Sequence, residues 1–171
     1  MSEIAGAGPI SLSLEGVRTI LVNIAAYRTW LGAATVAAAT AKTFLMGEYD
    51  ANVTLPIGAI FFSPENVFSG DAVYGGAGNF FAREGLADVL LVEQTPAAYA
   101  DTDSLDWLNA LKHITNVAGQ VIVGIEQLAG TGAYLNVRGY SVSGAVRDVV
   151  KGERDLLKMV LRVKWQGPGN L

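Results

Sequence analysis

A chain of 171 residues falls within the size range of one domain with its own hydrophobic core. Charged residues make up 16% of it, against about 25% in an ordinary soluble domain, and 51% of its residues are apolar. The net charge of -4 argues against electrostatic binding to a nucleic-acid backbone, and the absence of cysteine excludes disulfides, thiolate nucleophiles and cysteine-ligated metals.

So few charges leave apolar surface that a compact monomer cannot cover in the usual way. We expect copies of the chain or other subunits to cover it. No apolar run reaches the roughly 18 uncharged residues of a membrane helix, so the sequence predicts a soluble protein.

The ends of the chain differ from its middle. Residues 1–12 carry Glu3, two glycines and a proline, a composition that predicts a flexible arm rather than a secretory signal. Residues 13–166 are expected to form a single domain. Residues 167–171, which begin with Gly-Pro-Gly, are expected to form a C-terminal tail.

The first predicted element is a helix that begins near Ser13 and ends at Gly32. Its apolar residues recur at helical spacing. The stretch 33–46 is rich in alanine, which predicts a second helix, or a continuation of the first after a kink.

Two strands follow. The apolar run 57–62 has the length of a strand, and the glycine-bearing segment 69–79 separates it from a long strand over 80–94, with a bulge expected at Gly85. Residues 89–92 are apolar on both faces, which predicts a central position in a sheet.

A long helix capped by Asp103 or Ser104 is expected to run to about Leu128. Its apolar residues fall at steps of three or four: Trp107, Ala110, Ile114, Val117, Val121, Ile125 and Leu128. A polar stripe lies beside them: Asn109, His113, Asn116 and Gln120. This pattern predicts one buried and one wet face.

The chain then returns to strands. Residues 134–142 are extended, with a bulge or twist near Gly139, and the connection 143–155 predicts a protruding hairpin arm. In the last strand Leu157, Met159, Leu161, Val163 and Trp165 share one face, and Lys158, Arg162 and Lys164 share the other. We therefore predict an α+β fold: a mainly antiparallel sheet of about four strands with helices packed on one face.

Candidate chemistry is sparse, and the sequence predicts no catalytic, cofactor or metal site. His113 is the sole histidine, which excludes a multi-histidine metal site, and its place on the polar stripe predicts a solvated side chain. Asp101, Asp103 and Asp106 lack the turn glycine and closing glutamate of a calcium loop, so they fit a helix N-terminus better.

The glycine cluster at 75–78 leads into a strand, whereas phosphate-binding loops lead into a helix. A flexible loop is the better interpretation. The alternative of a small hydrolase or ligand-binding enzyme would use Asp88, Glu93 or Asp103, and it requires a pocket in which two acids converge.

The basic face of the last strand has two interpretations: simple solvation, or contact with an acidic partner subunit. The residues that we expect in such an interface are Val146, Arg147, Asp148, Lys151, Lys158, Arg162 and Lys164.

In its organisation the chain resembles the tail terminator and neck proteins at the head-to-tail connection of tailed bacteriophages. The resemblance covers about residues 14 to 166, and four segments carry it: residues 27–32 leading into the alanine-rich stretch, the strand 85–93, the helix opening at 106–108, and the closing strand 161–165.

The resemblance implies a structural virion subunit without enzymatic activity or cofactor. It implies a ring, usually hexameric, that is assembled in the host cytoplasm, ends the tail tube and joins it to the connector. The implied partners are further copies, the tube protein and the neck proteins, and DNA would pass through the ring without sequence-specific contacts. A head completion protein or a tube subunit is the alternative within the virion.

Overall fold

The computed structural model describes residues 9–45, 52–62, 69–73, 80–95, 104–128, 136–150 and 154–170. The helices are α1 (Pro9–Asn23), α2 (Ala25–Leu31), α3 (Val36–Ala41) and α4 (Ser104–Leu128). The strands are β1 (Thr43–Leu45), β2 (Ile57–Phe62), β3 (Ser69–Val73), β4 (Phe80–Gln94), β5 (Asn136–Val142), β6 (Val146–Val150) and β7 (Arg154–Asn170).

All seven strands belong to one sheet, whose main path runs β1-β2-β4-β7-β5. Strands β2 and β3 pair with the same side of β4, β2 with residues 87–92 and β3 with residues 80–84. In the same way, β5 and β6 pair with one side of β7, β5 with residues 161–166 and β6 with residues 154–158. The β1–β2 pair is parallel and the other pairs are antiparallel. The predicted α+β class with a mainly antiparallel sheet is confirmed.

The first helical region is two helices, not the single helix that the periodicity predicts. Ile24 adopts an extended backbone conformation between them. The Asn23 side chain donates to the carbonyl of Thr19, and the Arg28 guanidinium donates to that of Val22, at 2.8 and 2.9 Å. These side chains supply partners to carbonyls near the end of α1, which permits the break.

Gly32 ends α2 as predicted, with a φ of 63° that a glycine adopts at little cost. The alanine-rich stretch after it is helical only over α3, which Thr35 caps by accepting a hydrogen bond from the Ala38 amide at 3.1 Å. The predicted helix is wrong beyond Ala41, because Thr43–Leu45 pairs with β2 instead.

The long elements follow the sequence patterns. The strands predicted at 57–62 and 80–94 and the helix ending at Leu128 are confirmed, and β4 is the middle strand of the sheet path. The register shifts between Val137 and Gly139 of β5, as predicted. The bulge predicted at Gly85 is wrong, since β4 and β7 pair without a shift from Phe80 to Gln94.

Three further elements depart from expectation. Strand β3 lies inside the glycine-bearing segment that was expected to be a loop. The predicted hairpin arm contains β6, which is part of the sheet rather than a projection from it. The predicted C-terminal tail is strand as far as Asn170, because Gly167–Asn170 pair with Phe80–Arg83.

The register gives the sheet two faces, which we name by the residues of its two longest strands. The inner face carries the odd-numbered residues of β4 and β7, and the outer face carries the even-numbered ones. Five inner-face residues of β7, Leu157 to Trp165, are buried in the main core cluster together with residues of α1, α2 and α4. The predicted alternation of the last strand is confirmed.

Tyr27 ties α2 to the β1–β2 edge of the sheet. Its hydroxyl lies 3.0 Å from the Thr43 hydroxyl, which in turn donates to the Ala39 carbonyl at 2.8 Å. The tyrosine hydroxyl is therefore the donor to Thr43. A Cβ on Gly58 would overlap the Tyr27 hydroxyl, so this contact requires glycine on β2.

Candidate functional site

The outer face has an ion pair at its centre. Asp88 of β4 and Arg162 of β7 are register partners, and the guanidinium donates to both carboxylate oxygens, at 2.8 and 3.2 Å. Both side chains are partly buried. This bidentate geometry fixes the two side chains against each other across the sheet.

Apolar side chains surround that pair. Leu86, Leu90 and Val160 are half-buried on the outer face, while Lys158 is half-buried and Lys164 is exposed. A small second cluster of Ile57, Val92 and Leu156 lies at one end of this face, packed with Phe44, Val53, Leu55 and Leu90. None of the members of this second cluster comes from a helix. The outer face therefore differs from the inner face: it carries apolar and charged side chains side by side, whereas the inner face is a continuous apolar core.

The two lateral edges of the sheet differ in length. One edge is formed by β1, with three residues, and by β3, with five. The other is formed by β5 and β6 in line, where Ser143 between them donates its amide to the Val160 carbonyl at 3.0 Å. Tyr140, Val142 and Val146 on this second edge are exposed, and Val146 is 60% exposed. We call these three residues and the strands that carry them the long edge.

The structure brings together part of the predicted interface set. Lys158, Arg162 and Lys164 share the outer face, and Val146 is the register partner of Lys158, so it joins them there. Arg147 and Asp148 lie on β6, but their side chains are outside the described residues, as is Lys151 altogether.

Glu93 is the most unusual polar residue of the inner face. It is 6% exposed, and its Oε2 accepts a hydrogen bond from the Trp30 indole at 2.8 Å. His113 Nε2 lies 3.4 Å from the same oxygen, and the histidine side chain is 47% exposed. The other oxygen, Oε1, is fully buried and has no hydrogen-bond partner among the described residues. Leaving such an oxygen unpaired is costly.

These three residues border a cavity of about 540 Å³ between α2, α4 and the start of β2. Its lining is half polar and half apolar: Ala26, Thr29, Trp30, Leu55, Pro56, Glu93, Gln94, His113, Asn116, Val117 and Gln120. The α4 residues among them recur at steps of three or four, so one side of that helix forms a wall of the cavity. The volume is in the range of small-molecule sites.

The placement of His113 corrects the sequence interpretation in part. The side chain is half-exposed, as expected of a solvated residue, but it also faces a buried carboxylate. Sequence reasoning missed Trp30 as the donor to Glu93. The sequence carries a signal for the buried acid but not for its donor, because Val89, Leu91 and Glu93 alternate along β4 and place the carboxylate on the buried face.

Two of the acids considered for a hydrolase, Asp88 and Glu93, do not converge. Asp88 lies on the outer face against Arg162 and Glu93 on the inner face, while Asp103 and the acidic residue Asp101 lie outside the described residues, as does the 75–78 glycine cluster. Within the described parts of the chain, no three His, Asp or Glu side chains gather where they could hold a metal ion.

Two comparisons with known proteins gave no match: no protein-family model matches the chain, and no curated protein does. None of the described helices is long and apolar enough to cross a membrane.

Proposed function

We propose that the chain is a structural subunit that assembles with copies of itself into a closed ring, as a tail terminator or neck protein of a tailed phage. In this role it works by shape and stacking, not by catalysis. The ring, a hexamer in the resemblance, ends the tail tube, binds the tube and connector proteins, and lets DNA pass through.

The observation that carries the proposal is the long edge of the sheet beside an outer face that is half apolar. Unpaired strand edges with exposed apolar residues associate readily with other chains unless they are short, charged or covered. Val142 and Val146 are exposed on the long edge, whereas the opposite edge consists of two shorter strands, β1 with three residues and β3 with five.

The charges of this region suit a specific contact. Lys158 and Lys164 of the outer face are basic in a chain whose net charge is -4. A ring needs a head-to-tail contact between two different surfaces of the subunit. A basic face that meets an acidic surface of the next copy provides such a contact and fixes its orientation.

The experiment is electron microscopy and mass measurement in solution on the purified chain, with Val146→Asp as the test variant. We expect closed rings for the wild type. We expect at least about a tenfold weaker assembly for the variant, because the new carboxylate would be desolvated in the contact. Val36→Asp on α3 is the matched control, since Val36 is also exposed and lies at a helix start that tolerates aspartate.

A second variant, Lys158→Glu with Lys164→Glu, tests the basic face while leaving the Asp88–Arg162 pair intact. Indefinite filaments of the wild type would favour a tube subunit over a terminator. A wild-type chain that stays monomeric at all concentrations, or equal assembly by wild type and both variants, contradicts the proposal.

A further inference from the structure

The cavity bordered by Glu93 is separate from the surfaces that carry the proposed function. It lies on the inner side of the sheet, between α2 and α4, whereas the long edge and the outer face lie elsewhere. Its polar wall is the stripe of α4 that the sequence marks as wet: His113, Asn116 and Gln120.

The contacts of Glu93 define where a ligand can meet its carboxylate. The Trp30 indole donates to Oε2 and His113 Nε2 lies near the same oxygen, whereas Oε1 is fully buried and has no hydrogen-bond partner among the described residues, so a ligand in the cavity meets the carboxylate at Oε2. The Trp30 bond holds the carboxylate in place. His113 is half-exposed and its nitrogen is 3.4 Å away, which is longer than a good hydrogen bond, so the ring can move aside for a competing donor.

The chemistry of the lining selects the kind of donor. Among the described residues that line the cavity, Glu93 is the one carboxylate, and apart from His113 the others have no ionisable side chain. Leu55, Pro56 and Val117 provide an apolar wall, and Trp30 adds an aromatic one. A cation with several N–H groups and a compact apolar body satisfies the carboxylate and fills the rest.

We propose that this cavity is a binding site for a small organic cation that carries an amidinium, guanidinium or primary ammonium group. The cationic N–H groups bind the Glu93 carboxylate, and the body of the ligand packs between Trp30 and Val117. The side-chain amides of Asn116 and Gln120 form hydrogen bonds with the ligand at the mouth of the cavity. The same cationic group could belong to a free molecule or to an arginine or lysine side chain of a neighbouring copy.

The test uses three ligands of the same shape and different charge: benzamidine, benzamide and benzoate. Binding is followed by calorimetry and by the NMR signal of the Trp30 indole N–H, which reports directly on the hydrogen bond to Glu93. We expect benzamidine to shift this signal and to bind at least about tenfold more tightly than the other two, since only the cation forms a charge-assisted pair.

The variant Glu93→Gln keeps the size of the side chain and removes its charge, and it should reduce benzamidine affinity by about tenfold or more. The matched control is Glu15→Gln, which removes an exposed carboxylate on α1 and should change nothing. Gln120→Leu provides an independent variant at an exposed position, and a few-fold loss is expected there if the amide contacts the ligand.

Sedimentation of the assembled protein with and without benzamidine distinguishes the two sources of the cation. Dissociation by benzamidine identifies a neighbouring side chain, and unchanged assembly identifies a free molecule. Equal binding of benzamidine and benzamide, full benzamidine affinity in Glu93→Gln, or no effect on the Trp30 signal would each overturn the site, whether or not the ring forms.

Discussion

The two faces of the sheet are made by the same two strands, yet they differ in kind. On the inner face, Met159 and Leu161 lie in a continuous apolar core. On the outer face, one residue away along β7, Val160 and Arg162 alternate apolar surface with charge and stay partly accessible. The comparison teaches that the inner face is closed core that supplies stability, while the outer face leaves part of its apolar surface accessible in the described residues.

The largest expected effect is the difference in destabilisation between alanine substitutions at two adjacent residues of β7, Leu161 on the inner face and Val160 on the outer face. Leu161→Ala should lower the free energy of unfolding by roughly 3 to 4 kcal/mol, because it leaves a cavity in a closed core. Val160→Ala should cost about 1 kcal/mol or less, since that side chain is half-exposed. Urea denaturation of the two variants checks this, and equal losses would show that the faces are not distinct.

A smaller effect depends on the inner-face tyrosine. Burial raises the pKa of Tyr27 to about 12, against an ordinary value of 10.0. The folded state therefore holds the phenol proton more tightly than the unfolded chain. Its contribution is complete below pH 10 and is lost as the pH rises towards 12, by roughly 2 to 3 kcal/mol.

The measurement is the difference in unfolding free energy between wild type and Tyr27→Phe as a function of pH. Phenylalanine cannot ionise, so the variant does not share this loss. Whatever stability Tyr27→Phe lacks at neutral pH, the difference in unfolding free energy should move in favour of the variant between pH 10 and pH 12. A difference that stays constant from neutral pH to pH 12 would mean that Tyr27 is not buried as described.

The smallest expected effect concerns the outer-face ion pair. Asp88→Asn should destabilise the fold by about 1 kcal/mol, because Arg162 loses a bidentate partner but remains near solvent. The loss should shrink at high salt, which screens partly exposed charges. Thermal unfolding at low and high ionic strength measures both. A loss as large as that of Leu161→Ala would place this pair in the core.

The sequence patterns predict the long elements because each carries several periods of its own signal. Helix α4 has seven apolar positions in phase, and β7 alternates strictly over its inner-face residues. Short elements lack that information. Thr43–Leu45 is a strand because β2 lies beside it, although the alanines before it favour a helix. Ile24 continues the helical period and yet breaks it, filling the space that Gly124 leaves on α4.

The site around Glu93 shows the same division. Strand alternation places the carboxylate on a buried face, and helix periodicity places His113 beside the buried stripe of α4. That the two meet, together with Trp30 of α2, depends on how three elements pack. Packing between elements distant in sequence has no local pattern to reveal it, so the buried acid was predictable and its partners were not.

Strand β7 pairs with β4 along 15 residues and is also the partner of β5 and β6. It follows every other described element in the chain. During synthesis β4 can pair with β2 and β3 on one side, but its other side must wait for β7, and β5 and β6 have no partner to join until β7 leaves the ribosome. The sheet closes late, through contacts of large sequence separation, which predicts slow folding and a long interval in which chaperones can bind the nascent strands.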